Sequence, residues 1–343
     1  MPLILLILKI YIKINISKVY KLIMKILAIQ NRLGIGDTVM FLPYIKVISE
    51  KFNTPISLLV KKSSKADQFL KHTNYIDKII ILERNSSKAD RHDGIIGSFR
   101  LAQELKKYKF DKVFIFNSSL RYNIVSRLSG IKEIYQYPLF KKKNQHITKQ
   151  AFNLVKDKLN LSTNIDPQIE IDKNFETSVI SKYNINKNDV NILLGIGGSG
   201  PTKRIPAETF LSVIKKITIV KNCKFFLATG KNYQEQIILN KIINSEFKDR
   251  CISLDELTIF ETLPIIKNCS VSICNDTGFS HLSSALGVKT ITLMADTPLI
   301  YGSYSSKMYP IIPDGETSVS HNTLGKDKIN PDKIYNQLIS IIS

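Results

Sequence analysis

The sequence is poor in the residues that metal and covalent chemistry use. Its 343 residues include four cysteines and five histidines. The cysteines, Cys223, Cys251, Cys269 and Cys274, form no CxxC pair, which argues against a zinc ribbon or a dithiol motif. All four lie in or beside hydrophobic runs of the second half, as buried free thiols of a reducing compartment do. His72, His92, His146, His281 and His321 make neither HxxxH nor HExxH, so no metal is expected. A GxSxG elbow is missing, and Ser280 directly precedes His281, a poor geometry for mutual attack. GK[ST] is missing too, which excludes a Walker A loop. Acids are few, 29 against 49 Lys and Arg, giving a formal net charge of +20. That surplus favours anionic partners. It is spread along the chain with no helix-turn-helix, zinc-finger or arginine-rich signature, so no nucleic acid is expected as a partner.

What is present is enough apolar residue, 43%, for a real core, and enough length for two domains. Residues 1–23 hold Lys9, Lys13, Lys18 and Lys21 and no acid. Lys9 cuts their apolar run below spanning length, and no small-residue cleavage site is seen. Three readings stay open: a start assigned upstream of Met24, an amphipathic segment lying on anionic lipid, or an extra helix. From Met24 onward, strand and helix alternate. Short apolar runs predict strands at Lys25–Asn31, Ile56–Val60, Lys78–Leu82, Asp111–Phe116 and Ile131–Tyr135. Helices are predicted from Thr38 to Phe52, with Pro43 in the first turns, and at Lys65–Lys71, Ser98–Tyr108, Arg121–Leu128 and Thr148–Leu159. A basic surface loop with Lys141, Lys142 and Lys143 precedes the last of these. Short alternation in residues 165–172 suggests an edge strand, and the domain junction is placed near 165–188.

A second series begins at Val190. Its predicted strands are Val190–Ile196, Lys224–Thr229, Arg250–Ser253, Ser270–Asn275 and Lys289–Met294. Its helices are Ala207–Val220, Asn232–Ile243, one capped by Ser253 with Glu256, and Pro331–Ile342. The fold class is therefore α/β: two Rossmann-like domains, 24–175 and 186–343, facing across a cleft. The last helix is expected to pack back on the first domain.

Three loops after predicted strands carry the candidate chemistry. In the first, Gly34 and Gly36 permit a sharp turn and Asp37 stands at a helix start. Asp37 is either a general base for an acceptor hydroxyl or a plain N-cap. The second runs from Gly195 to Arg204. Gly195, Gly197 and Gly200 match GxGxxG, but Pro201 and Pro206 interrupt the glycine-to-helix junction, and Lys224–Thr229 ends without an acid for a ribose. Backbone N–H groups with Ser199, Thr202, Lys203 and Arg204 suit a phosphate or diphosphate instead. In the third, Asp276, Thr277 and Gly278 open a helix whose N-terminus favours an anion. His281 is either part of that site or an ordinary helix residue.

Together, Met24–Leu27 with Gly34–Val39, Leu42 and Pro43, then Thr202–Pro206, then Asp276–Leu282, resemble the ADP-heptose:lipopolysaccharide heptosyltransferase family, glycosyltransferase family 9. The resemblance covers about Met24 to Pro313. It implies the GT-B architecture and an inverting single displacement without metal or cofactor. By that resemblance Asp37 is the base, Thr202 and Lys203 contact phosphate, and Asp276, Thr277 and Gly278 bind the donor. It further implies ADP-heptose as donor, an anionic glycolipid or glycan such as lipopolysaccharide as acceptor, and a cytoplasmic enzyme in peripheral contact with the inner membrane. Ile205 departs from the family's tryptophan. Asn232 stands where an acid near the ribose is common, with Glu235 as the nearest substitute. A nucleotide-sugar epimerase or hydrolase of the same architecture, a donor-binding inactive homologue, and a nucleic-acid-binding protein are the alternatives.

Overall fold

The structure, a computed structural model, describes residues 24–84, 90–139, 147–161, 165–186 and 189–343. The extension 1–23 and the Lys141–Lys143 stretch lie outside these residues. Each domain is built on a parallel sheet. In the first, β1 (Ile26–Ile29), β2 (Ile56–Lys61), β3 (Ile76–Leu82), β4 (Lys112–Ile115) and β5 (Glu133–Gln136) run in the order β3-β2-β1-β4-β5. β1 pairs with β2 on one side and β4 on the other, and every residue of it is buried. A central strand covered on both faces needs such an unbroken apolar run. The helices of this half are α1 (Ile35–Phe52), the short α2 (Ala66–Phe69), α3 (Gly94–Lys106), α4 (Leu120–Leu128) and α5 (Ile147–Leu159).

After α6 (Lys173–Lys182) the second sheet begins. Its strands are β6 (Val190–Gly195), β7 (Cys223–Ala228), β8 (Cys251–Ser253), β9 (Val271–Asn275), β10 (Thr290–Leu293) and β11 (Met308–Ile311). They run in the order β11-β10-β9-β6-β7-β8. Around them lie α7 (Ala207–Val220), α8 (Tyr233–Ile243), α9 (Ile259–Lys267), α10 (Gly278–Ala285) and α11 (Pro331–Ile342). In each sheet the direction of winding reverses beside the first strand, between β1 and β4 and between β6 and β9. Ligands of open α/β sheets sit at the carboxyl ends of such switch points. The three candidate loops follow β1, β6 and β9.

The two domains share one interior. A single apolar cluster joins Ile26, Leu42, Ile45 and Phe114 of the first to Leu193, Phe226, Leu263 and Leu282 of the second. Separate clusters fill the outer layers. The segment between the domains fastens to both: Lys46 Nζ donates to Gln168 at 2.6 Å, and Ile169 N–H donates to the Ala285 carbonyl at 2.9 Å. Phe175 of α6 stacks on Phe260 of α9 with centroids 4.5 Å apart.

Several sequence expectations are corrected. Residues 165–172 form no strand, because their hydrogen bonds go to both domains rather than to a sheet edge. α1 begins at Ile35, so Pro43 is its ninth residue rather than part of its first turns. The capping box is Thr258 with Glu261, not Ser253 with Glu256, because Ser253 belongs to β8. β11 was not anticipated; it is an edge strand, where Pro310 is tolerated. α11 packs on the second domain, where Ile334 and Leu338 are buried in its outer core, and not back on the first.

Candidate functional site

The loop after β1 makes the first wall. Gly34 is the N-cap of α1, which puts Asp37 at the third helical position rather than at the cap. Its Oδ2 accepts the Gly34 N–H at 3.3 Å, and its Oδ1 lies 3.8 Å from Arg32 Nη1. The Asp37 carboxylate is thus held at the mouth of a helix N-terminus, where negative charge is favoured. It stays partly exposed to the cleft.

The second domain brings two loops to the same place. After β6, the chain passes Gly197 and Gly198 into a turn at Pro201–Lys203. Asn275 Nδ2 donates to the carbonyls of Ile196 and Gly197 at 2.9 and 3.0 Å, and Arg204 Nε donates to that of Gly198 at 2.9 Å. Glu235 accepts the Gly198 N–H at 2.6 Å. A Cβ on Gly197 would sit 2.9 Å from Glu235 Oε1 and 3.2 Å from Thr229 Oγ1, so glycine here favours close approach rather than a special φ. From the turn, Lys203 Nζ reaches Asp276 Oδ2 at 2.6 Å.

Asp276 directly follows β9 and is almost fully buried. Burial pushes its carboxyl up, but neighbouring His281 and the Lys203 charge outweigh that and hold it well below the usual carboxylate range. His281 Nε2 lies 3.8 Å from Asp276 Oδ1, beyond hydrogen-bond length, so this is proximity rather than a bond. The ring is fixed from its other side, where Nδ1 and the Tyr304 hydroxyl are 2.8 Å apart. Burial keeps Tyr304 a phenol.

These walls enclose a cleft of about 470 Å³. Gly34, Gly36, Asp37, Ser199, Lys203, Asp276, Thr277, Gly278 and His281 all line it. Thr202 does not. Arg32, Tyr301 and His321 line the cleft but were not singled out from sequence. Glu235 lines it too: Asn232 is the N-cap of α8 and Glu235 the third residue of that helix, pointing back toward the strand end. The loops after β1, β6, β7, β9, β10 and β11 reach the cleft at the carboxyl edges of the sheets, so His321 would have been a candidate had β11 been recognised. Among the described residues no group of three His, Cys, Asp or Glu is placed to hold a metal, and no helix is long and apolar enough to cross a membrane.

Two Rossmann-like domains with a cleft at both switch points make the GT-B architecture. The chain belongs to glycosyltransferase family 9, the heptosyltransferases, whose family model matches residues 98–320. It is 27% identical over 325 residues to lipopolysaccharide heptosyltransferase 1 of Campylobacter coli, covering 85% of this chain and 90% of the relative. Its fold is similar to that of Escherichia coli ADP-heptose lps heptosyltransferase II, with a TM-score of 0.72 at 17% identity, over 93% of this chain and 98% of the other. It is also similar to a family 9 glycosyl transferase from Veillonella parvula, with a TM-score of 0.76 at 18% identity, over 93% and 97% of the two chains.

Proposed function

We propose that the chain transfers heptose from ADP-heptose to a lipopolysaccharide-type acceptor at the cytoplasmic face of the inner membrane, by one inverting displacement. The observation that carries this is the placement of Asp37 of one domain and the Lys203–Asp276 pair of the other on a single cleft. The acceptor lies on the first domain's side. Asp37 takes the proton of its hydroxyl as that oxygen bonds to the anomeric carbon. The bond from that carbon to the donor diphosphate breaks, and the diphosphate leaves with the electron pair. Lys203 and the N-terminal N–H groups of α10 receive the charge. Asp276 holds Lys203 in place, while Ser199, Thr277 and Gly278 border the donor. Thr202 acts on the donor only indirectly, through the shape of its loop.

Asp37→Asn tests the assignment. The amide keeps an oxygen to accept the Gly34 N–H, so the helix start survives. With ADP-heptose and an acylated acceptor, kcat should fall roughly 10²–10⁴-fold, the usual share of a general base. Donor Kd by calorimetry should stay near wild type. Near-normal turnover would reduce Asp37 to a helix-capping residue. Absence of donor binding in the wild type would remove the whole reading.

A further inference from the structure

The first domain carries an uncovered apolar ridge beside the cleft. On α3, Ile95 is 78% and Ile96 68% exposed, and Phe99 is also exposed. On α4, Leu120, Ile124 and Leu128 are exposed at four-residue spacing, one stripe along the helix. These are the wrong residues for a solvated face, and both helices already have their own buried sides. α3 buries Leu101, Ala102 and Leu105, and α4 buries Tyr122 and Val125. The two helices pack against each other. Arg121 of α4 binds the carbonyls of His92 and Gly94 at the start of α3, the latter at 3.2 Å. The exposed apolar residues are therefore grouped on two helices packed side by side rather than scattered singly over the chain.

Two further facts say what covers it. The stretch 84–132, which holds both helices, has eleven Lys and Arg against four Asp and Glu. α4 carries Arg121 and Arg127 and no acid. A second copy seated on the same face would set this cationic surplus against itself, since a two-fold interface joins like to like. An anionic lipid surface matches both the apolar stems and the charge. The position fits as well. Both helices start at the carboxyl edge of the sheet, the cleft's own edge. Asn117, just before α4, donates to Asn31 Oδ1 at 3.1 Å, and Asn31 adjoins the cleft-lining Arg32.

We infer that the α3–α4 ridge is a membrane-docking surface that seats Ile95, Ile96, Phe99 and Ile124 at the headgroup boundary of an anionic bilayer. The cleft then opens beside the lipid, and a glycolipid acceptor is reached without leaving the bilayer. This deepens the proposed transfer reaction, but lipid binding is measured without it.

The test is co-flotation of the full chain with phosphatidylethanolamine–phosphatidylglycerol vesicles and with phosphatidylcholine vesicles. Wild type should float with the anionic vesicles, less with the neutral ones, and less as salt is raised. The triple variant Ile96→Gln, Phe99→Gln, Ile124→Gln should lose about tenfold or more of that binding. Its circular dichroism should be unchanged, because all three side chains are exposed. Arg100→Gln with Arg127→Gln should weaken binding to the anionic vesicles only. Flotation of the triple variant equal to wild type would overturn the inference and assign lipid binding to another part of the chain. Wild type that fails to float would overturn it too. So would a wild-type dimer in light scattering that the triple variant dissolves, since a second copy would then cover the ridge. Activity on a deacylated, soluble acceptor should be the same in wild type and triple variant. If that activity is absent from both while flotation behaves as stated, the docking surface stands and the reaction assignment fails.

Discussion

Gly36 of the first domain presses on the ring of His281 in the second: a Cβ there would lie 2.4 Å from Cδ2 and 2.5 Å from Nε2. The ring cannot readily swing away, because Tyr304 holds its Nδ1. Gly36→Ala should therefore cost about 1–3 kcal/mol, the usual price of overpacking, and lower turnover by parting the two helix starts. Gly200→Ala is the control. Its new methyl would find only Thr202 Oγ1, at 3.9 Å. Thermal melts and kcat should separate the two, with Gly200→Ala close to wild type in both.

Lys203 and Asp276 form a partly buried pair whose lysine faces the cleft. Lys203→Ala removes a cation from both the bound diphosphate and the leaving group. Donor Kd and kcat should worsen together. It also strands a buried carboxylate, so stability should fall. A double-mutant cycle with Asp276→Asn should show a stability coupling of about 0.5–3 kcal/mol. Additive losses would mean the pair is not coupled.

The depressed Asp276 carboxyl predicts a pH dependence. Near pH 4, roughly the ordinary carboxyl range, the unfolded chain takes up a proton that the folded chain refuses. Unfolded protein binds more protons there, so stability rises with pH. The contribution is complete above that range and is lost as pH falls through the lower folded value. Urea midpoints at about pH 3 and about pH 6 measure it. Asp276→Asn should flatten the difference; an unchanged slope would place the acid sensitivity elsewhere.

Burial pushes the Cys223 and Cys251 thiols up to about 11 and that of Cys274 up to about 12. Thiolate is the reactive form. Iodoacetamide at about pH 8 should label the native chain roughly a hundredfold more slowly than the urea-unfolded chain. Mass spectrometry reads the sites. Fast labelling of Cys251, the half-buried member, would show that its strand edge opens.

Much of this arrangement was legible in the sequence. Unbroken apolar runs gave away the parallel strands, and the glycine, lysine and aspartate loops after β1, β6 and β9 announced the cleft. α7 and α11 begin and end where periodicity and proline placed them. The start of α1 was not legible, because Gly34 and Gly36 read as a turn. Helix propensity argues against glycine there, and only the contact with His281 shows why Gly36 is needed. The 165–172 segment misled for a similar reason. Its order comes from partners such as Lys46 and Ala285, far away in the chain. Thr202 read as a ligand for phosphate, yet it is not among the residues that line the cleft. Tyr301 and His321 carried no local signal at all.

The interior shared by the two domains has a consequence for synthesis. α1 ends at Phe52, and α10, which packs on it, begins at Gly278. Chains are made from the N-terminus, and early domains fold as they emerge. The inner face of the first domain, with Leu42 and Ile45, must therefore wait uncovered until roughly two hundred more residues have been added. A ribosome that stalls within β6 to β9 would leave a nearly finished half with a sticky side. For such a chain, steady elongation and a chaperone at the exit tunnel matter more than the stability of either half.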